Sequence, residues 1–116
     1  MNDFSYKKLI VWQKSITLLK LTYAIVAKLP KHEEYNLKSQ LRRAALSVSS
    51  NIAEGSGRKS EGERKRFYEV ARSSVIEIDS QLEAGIILEY ITPQDCEEIN
   101  NIIIEEFRML TKMIDG

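Results

Sequence analysis

The stretch from Gln40 to Arg58 constrains the fold more than any other part of the chain. It reads QLRRAALSVSSNIAEGSGR, with apolar residues three and four positions apart, as on one face of an α-helix. Alanine and serine fill much of the stretch, and their small side chains allow a neighbouring helix to approach closely. Because serine and asparagine are mediocre helix formers, their density predicts a role in contact between helices. Gly55 and Gly57 are predicted to loosen and end this helix.

Three other segments carry the same helical periodicity. The later helices are each predicted to begin after an N-cap residue: Asn36, Ser60 and Thr92. Ser60 and Glu63 have the spacing of a capping box, and Pro30 ends the first helix. We therefore predict helices over residues 8–29, 37–56, 61–90 and 93–115. Four helices with short connections favour an all-α fold, a single domain over residues 1–116 that forms an antiparallel up-down-up-down four-helix bundle.

Apolar residues at helical spacing predict the core of this bundle. In the later helices they form one main stripe each, and Cys96 is expected to be a small buried residue at the start of the fourth helix. In the fourth helix Ile102, Met109 and Met113 lie on a second apolar face. The stripes are Leu37, Leu41, Ala44, Ala45, Val48 and Ile52, then Phe67, Val70, Ala71, Ser74, Ile78, Leu82 and Gly85, and then Ile99, Ile103, Phe107, Leu110 and Ile114. The first helix has two apolar faces, one of Leu9, Trp12, Ile16, Leu19, Tyr23 and Val26 and another of Val11, Leu18 and Ile25. Either both belong to a wide core face, or one is covered by a neighbouring subunit.

A polar stripe runs beside the apolar one on the second helix. It consists of Gln40, Arg43, Ser47, Asn51 and Glu54. If the turn after this helix is centred near residues 58–59, Arg43 lies within a turn of Glu77, Glu54 lies beside Arg64 or Arg66, and Ser47 and Asn51 face residues 67–71. We therefore predict a polar seam between the second and third helices, made of Arg43, Ser47, Asn51, Glu54 and Glu77. Loss of one partner from a desolvated Arg43–Glu77 pair would cost about 3–5 kcal/mol.

Charge is unevenly distributed along a chain whose formal net charge is zero. Residues 1–35 carry six basic and three acidic residues, residues 36–72 carry nine and four, and residues 73–116 carry two and ten. A basic front and an acidic back suit either an anionic partner or attraction between the two halves of the fold. A lone Cys96 cannot form an intrachain disulfide, and no signal peptide or run of about 20 apolar residues is visible. We therefore expect a cytoplasmic protein that does not enter a membrane.

No residue pattern of a catalytic or metal site is visible. The one histidine, His32, lies in a polar turn without a second type of metal ligand nearby. Gly55-Ser56-Gly57 follows a helix and lacks the lysine of a phosphate-binding loop. Glu105 and Glu106 are adjacent and so point to different faces of a helix. We expect no enzymatic activity, no catalytic residue, no metal or cofactor, and no small-molecule substrate.

Several motifs resemble those of a known bacterial family, the four-helix-bundle proteins encoded in intervening sequences of large-subunit ribosomal RNA, also labelled S23 ribosomal protein. The resemblance covers nearly the whole chain and includes LIVWQK, QLRRAA, SNIAEG, RFY and ARSS, with Glu77 and Gln81-Leu82. The family often has proline where Ser49 stands and glycine where Ser73 stands, and a serine at 73 would add bulk to a helix contact. The resemblance implies a ring-like homo-oligomer, with a pentamer favoured. It also implies a relation to the accessory variability determinant of diversity-generating retroelements, which looks like a basic barrel that binds a reverse transcriptase and nucleic acid.

Two functions compete at this point. The first is an oligomeric accessory protein that binds RNA or a nucleoprotein through a basic surface, with little sequence preference. Its phosphate contacts would be Arg42, Arg58, Lys59, Arg64, Lys65, Arg66 and Arg72. The alternative is a protein-interaction or scaffold module without a nucleic-acid role, in which spare apolar faces of the first and fourth helices build the ring. A third hypothesis, binding of the first helix to a membrane surface, is weaker because core packing accounts for its apolar residues.

Overall fold

A computed structural model describes all 116 residues of the chain. It contains four α-helices and no strands, which confirms the predicted all-α four-helix bundle. The helices are α1 (Ile10–Val26), α2 (Leu37–Ser56), α3 (Glu61–Ile87) and α4 (Glu97–Asp115). Short 3-10 turns lie at Ser5–Lys8, Lys31–Glu33 and Gln94–Cys96. None of the helices combines the length and the apolar character needed to cross a bilayer.

The helices follow one another around the bundle. Each packs against the helix before and after it in the chain, and α1 also packs against α4. The α1–α2 side and the α3–α4 side therefore lie on opposite sides of the molecule. The three connections lie at the ends of the bundle, and the one between α2 and α3 is the shortest because α3 begins at Glu61, soon after Ser56.

Side-chain caps define two of the helix starts. The Ser60 hydroxyl accepts a hydrogen bond from the Glu63 backbone N–H at 3.1 Å. At the fourth start the bonds are reciprocal: Thr92 Oγ1 accepts from the Asp95 N–H at 3.2 Å, and Asp95 Oδ2 accepts from the Thr92 N–H at 2.9 Å. A 3-10 turn follows this box, so α4 proper begins four residues after Pro93, at Glu97.

The start of α2 is capped differently from the prediction. Asn36 makes no capping hydrogen bond, because its backbone lies at φ −132° and ψ −99°, outside the extended region that an N-cap residue adopts. Glu33 takes that role, and its Oε1 accepts a hydrogen bond from the Leu37 N–H at 3.3 Å. Tyr90 Oη donates to the other oxygen of Glu33 at 3.0 Å. These two donors stabilise the carboxylate and lower the pKa of Glu33.

The buried stripe of α1 contains the seven-residue repeat of Val11, Leu18 and Ile25. Ser15 and Thr22 lie in the same stripe and are fully buried. Their hydroxyls donate to backbone carbonyls of the preceding turn, from Thr22 to Leu18 O at 2.7 Å and from Ser15 to Trp12 O. These bonds satisfy the hydroxyls and allow two polar residues to occupy core positions. The other face of α1 is half-buried or exposed, except at Val26.

The predicted core positions of α2 are all buried. In α3 and α4, Val70 and Phe107 are exposed and Phe67 is half-buried, because these residues lie to the side of the buried stripes. In these two helices the sequence prediction also missed three buried side chains: Tyr68, Val75 and Glu106. Cys96 is buried, and burial raises the pKa of its thiol.

A close approach of α3 to α2 requires glycine at position 55. Gly55 is buried within α2 and does not end the helix. A Cβ atom at this position would lie 2.8 Å from Phe67 Cβ and 2.9 Å from Tyr68 Cε1. Such distances are shorter than van der Waals contact, so only glycine fits without separating the helices. The serine at 73 causes no such crowding, because Ser73 is exposed.

Candidate nucleic-acid interface

Five of the predicted phosphate contacts lie together in and just after the α2–α3 connection. We call this group the basic turn: Arg58, Lys59, Arg64, Lys65 and Arg66. Arg64 folds back across the connection, and its Nη1 donates to the carbonyl oxygens of Arg58 and Lys59, both at 2.9 Å. These bonds satisfy carbonyl groups just beyond the end of α2 and hold the turn in a fixed shape.

Some charges in the basic turn are paired and others are free. Arg58 Nη2 lies 3.6 Å from Glu54 Oε1, and Lys65 Nζ lies 3.3 Å from Glu61 Oε1. Both pairs join residues four apart in the chain at the solvent-exposed surface, where ion pairs contribute at most about 1 kcal/mol. Lys59 and Arg66 are exposed and form no ion pair. The end of the bundle thus keeps cations available for an anionic partner.

Arg42 lies far from the basic turn. It lies on α2, sixteen positions before Arg58, which corresponds to about 24 Å along a helix. Its Nη2 contacts Glu34 Oε2 at 2.7 Å, and Lys38 lies 3.4 Å from the other oxygen of the same carboxylate. The hydrogen bond from Arg42 lowers the pKa of Glu34, with Lys38 adding to the effect. Arg42 therefore attaches the α1–α2 connection to the helix that follows it.

Arg72 is also separate from the basic turn. Its Nη1 donates to Thr111 Oγ1 at 3.0 Å, and its guanidinium carbon lies 5.6 Å from the centre of the Phe107 ring. Both contacts join α3 to α4. The seven predicted cations thus divide into one cluster of five and two arginines that fasten other parts of the bundle.

The polar seam is centred on hydroxyl groups. Ser74 Oγ donates to Ser47 Oγ at 2.9 Å across the α2–α3 contact, and Asn51 Nδ2 donates to the Ser47 carbonyl at 2.8 Å. Arg43 and Glu77 line one cleft of about 290 Å³ without forming an ion pair.

The predicted ion pairs of this seam do not form. Glu54 pairs with Arg58, which lies just beyond the end of α2, and not with Arg64 or Arg66. Ser47 lies opposite Ser74, about one helical turn beyond the predicted stretch, so Glu54 lies level with about residue 67, past Arg64 and Arg66. Arg43 lies level with about residue 78, beside Glu77, but both side chains are exposed to water, so this pair is neither formed nor desolvated.

An aromatic cleft adjoins the basic turn. Its volume is about 860 Å³, and we define it by its lining: Phe4, Ser5, Tyr6, Ser50, Ala53, Glu54, Ser56, Gly57 and Arg58. Phe4 is 64% exposed, and its ring centre lies 6.5 Å from that of Tyr6. The sequence alone did not indicate this cleft, because it depends on the 3-10 turn that brings the N-terminal segment against α2. In the sequence, Phe4 and Tyr6 ahead of the first helix were the residues that could have indicated the cleft.

Two apolar surfaces remain exposed on opposite sides of the bundle. The α3–α4 groove has a volume of about 280 Å³ and contains Val75, Ile76, Ile103, Ile104 and Phe107, beside Asp79, Asn100 and Arg108. We define the α1–α2 strip by the exposed Tyr23 of α1 and Leu46 of α2, together with the half-buried Ile16. Ile76 is 54% exposed and Leu46 is 52% exposed, so both surfaces are open to a partner.

The opposite end of the bundle carries a polar network without a metal site. His32 Nε2 lies 3.0 Å from Tyr90 Oη, which donates to Glu33. His32 is exposed, and no group of three or more histidine, cysteine, aspartate or glutamate residues is placed to hold a metal ion. The network joins the α1–α2 connection to the end of α3.

The comparisons with known proteins agree with the observed bundle. The sequence model of the 23S rRNA-intervening sequence protein family matches residues 7–112. The chain belongs to this family. A solved structure with the same fold is that of a protein of unknown function from the S23 ribosomal protein family of Bacteroides thetaiotaomicron VPI-5482. It superimposes with a TM-score of 0.84 at 26% sequence identity, over 92% of this chain and 100% of the other. No curated protein sequence matches the chain.

Proposed function

We propose that this 23S rRNA-intervening sequence protein is a non-enzymatic, homo-oligomeric accessory protein that binds RNA, free or within a nucleoprotein. The observation that carries the proposal is the basic turn, a group of five cations at one end of the bundle in which Lys59 and Arg66 have no carboxylate partner. We propose that these cations contact phosphate oxygens, which carry no sequence information, so we expect little sequence preference.

The two apolar surfaces support homo-oligomer formation. The α1–α2 strip and the α3–α4 groove consist of different residues and lie on opposite sides of the bundle. A contact between the strip of one copy and the groove of the next is head-to-tail, and such contacts produce a closed ring when the rotation between copies allows it. We propose a ring of this kind, and the family resemblance favours five subunits.

Ring formation would strengthen weak phosphate contacts. Cyclic symmetry places the basic turn of every copy at the same height along the ring axis. Several turns then contact one RNA at once, and the overall affinity exceeds that of a single turn by about 10²-fold or more when the spacing allows simultaneous contact.

Binding to a labelled, structured RNA at different salt concentrations tests the RNA proposal. We expect retention at about 50 mM salt and a steep loss of affinity by about 200 mM, because each phosphate contact releases counterions. The double variant Lys59→Glu/Arg66→Glu should lower affinity at least tenfold and make the salt dependence shallower. Lys20→Glu is the matched control, since Lys20 is exposed in the middle of α1 and forms no ion pair. Absence of binding at about 50 mM salt contradicts the proposal.

A scaffold without a nucleic-acid role is the second candidate. The carboxylate partners of Arg42, Arg58 and Lys65 favour it, because they neutralise part of the predicted phosphate-binding surface. Native mass measurement together with the absorbance ratio at about 260 and 280 nm separates the two candidates. A ring that carries no nucleic acid and retains no RNA at low salt indicates the scaffold.

A further inference from the structure

We infer that the aromatic cleft is a binding site for unpaired bases of single-stranded RNA, with Phe4 and Tyr6 as the surfaces on which bases stack. The inference rests on the proposed function and extends it, because it specifies the form of RNA and the position of its bases. The basic turn alone would bind single strands and duplexes alike.

The cleft has the dimensions and lining of a site for a flat ring. Its volume of about 860 Å³ falls within the range of small-molecule sites, about 300–1,000 Å³. Phe4 and Tyr6, which precede α1, are among its lining residues. On the α2 side Ser50, Ala53 and Gly57 have small or absent side chains and leave the cleft open. Serine hydroxyls at this wall are donors and acceptors for base edges.

The Tyr6 part of the cleft is held in position before any ligand binds. The Tyr6 ring meets the Trp12 ring edge-on, with centroids 5.0 Å apart. Gln13 Nε2 donates to the Lys7 carbonyl at 3.0 Å, which fixes the 3-10 turn against the start of α1. A ring that is already ordered loses little conformational entropy when a base stacks on it.

Phe4 is the most available stacking surface in the cleft. It is 64% exposed, and its only aromatic neighbour is Tyr6, at 6.5 Å and tilted. Base–aromatic stacking tolerates any base, because every base has a π-face. This tolerance agrees with the little sequence preference expected of the basic turn.

Cations border the cleft where the phosphates of a stacked strand would run. Arg58 lines the cleft, and its guanidinium carbon lies 4.8 Å from the centre of the Phe67 ring. The connection continues from Arg58 to Lys59, which is exposed and free of an ion pair. Glu54 also lines the cleft and repels phosphate, so it directs the strand backbone towards Lys59 and leaves the rings to the bases. A duplex keeps its bases stacked and paired, and so cannot use this cleft.

Paired binding measurements on the full chain test the inference. The probes are a mixed-sequence RNA strand of about 12 nucleotides and the blunt duplex that contains it. Wild type should bind the single strand more tightly. Phe4→Ala should weaken single-strand binding by about 5- to 100-fold and leave duplex binding unchanged. Trp12 is the one tryptophan of the chain and contacts Tyr6, so its fluorescence should change when the single strand binds.

Three further variants test whether the aromatic ring of Phe4 stacks on bases. Phe4→Leu keeps the apolar side chain without a π-face and should lose binding like Phe4→Ala, whereas Phe4→Tyr should retain it. Tyr35→Ala is the matched control, since Tyr35 is 96% exposed and precedes α2 at the opposite end of the bundle. It should bind both probes as wild type does.

The outcomes separate this inference from the proposed function. If Phe4→Ala binds the single strand as wild type does while Lys59→Glu/Arg66→Glu still loses affinity, the stacking site is overturned and RNA binding stands. Equal loss of single-strand binding in Phe4→Ala and Tyr35→Ala also overturns the site. If wild type binds neither probe at about 50 mM salt, the proposed function fails together with the inference.

Discussion

Glu106 lies in the interior of the bundle, and neither of its carboxylate oxygens has a hydrogen-bond partner. It occupies the buried stripe of α4 together with Ile103 and Leu110. Burial raises its pKa to about 8, the neighbouring Glu105 adds to the increase, and Lys14 opposes it. At neutral pH the side chain is therefore mostly a neutral carboxylic acid, which costs less to bury than a carboxylate.

This protonation predicts a stability that falls as the pH rises. Between the unfolded pKa, about 4.3, and the folded value, the folded chain holds a proton that the unfolded chain has released. The free energy of unfolding should therefore decrease by about 1.4 kcal/mol per pH unit in that interval and level off above pH 8 or so. Carboxylates with lowered pKa, such as Asp95 at about 2, lose their stabilising effect only below roughly pH 4.

Urea unfolding at constant protein concentration, measured at several pH values, checks this prediction. Glu106→Gln should abolish the slope between about pH 5 and 8 and be more stable than wild type at about pH 9. Glu69→Gln is the control, because Glu69 is exposed on α3 and forms no ion pair, and it should keep the slope. A wild-type protein that gains stability across this range contradicts a neutral Glu106.

Replacement of glycine by alanine should have opposite effects on stability at Gly55 and at Gly62. Gly55→Ala places a Cβ 2.8 Å from Phe67 Cβ, so α3 must move away at a cost of about 1–3 kcal/mol. Gly62 lies in the first turn of α3, where an added Cβ atom would meet no neighbouring group within 4 Å. Gly62→Ala should therefore be neutral or stabilise by up to about 1 kcal/mol. The shift of the urea midpoint measures both effects. Equal stability of the two variants would show that α2 and α3 do not approach closely at Gly55.

At the scale of helices, the spacing of apolar residues predicted the positions of the helices more accurately than the contacts between them. The stripe of α2 could be identified because its apolar residues recur at helical spacing. The buried face of α1 was harder to identify, because it includes the polar residues Ser15 and Thr22. Their hydroxyls donate to carbonyl groups of the same helix, which makes them compatible with the core. Glu106 shares the helical spacing of Ile99, Ile103 and Leu110, and only its charge argued against burial. The hairpin register depends on packing at Gly55, which sequence spacing alone does not define.

The polar contact between α2 and α3 is a hydrogen bond between two serine hydroxyls and not the predicted ion pairs. A double-mutant cycle with Ser47→Ala and Ser74→Ala should give a coupling of about 0.5–1.5 kcal/mol, because the two hydroxyls bond at 2.9 Å. Arg43→Ala should change stability by less than about 0.5 kcal/mol, since Arg43 is exposed and unpaired. Urea unfolding of the four proteins of the cycle, and of Arg43→Ala, checks both values. A loss of about 3–5 kcal/mol in Arg43→Ala would restore the predicted buried pair.

At the scale of the whole molecule, the uneven charge of the sequence is partly used inside the fold. Lys14 pairs with Glu105 at 3.0 Å, and Lys28 pairs with Asp95 at 2.8 Å. Both pairs join the first helical segment to the last, so the basic front and the acidic back attract each other within one chain. The basic turn has no comparable long-range partner, because its two ion pairs are local. The basic turn therefore remains available to other molecules.

The two apolar surfaces predict how copies of the chain assemble. Leu46→Glu places a charge in the α1–α2 strip, and Ile104→Glu places one in the α3–α4 groove. Because each proposed contact joins a strip to a groove, either variant alone should be monomeric. A mixture of the two retains one intact strip and one intact groove, so it should form a dimer with one copy of each variant and stop there.

Light scattering or native mass measurement of each variant and of the mixture checks this prediction. Ile87→Glu is the control, since Ile87 is 77% exposed but lies outside both surfaces, and it should assemble as wild type does. If the contact instead joined identical surfaces of two copies, a variant in the other surface would remain oligomeric and mixing would restore nothing. The dimer in the mixture therefore distinguishes a head-to-tail ring from a symmetric pair, because only unlike surfaces can complement each other.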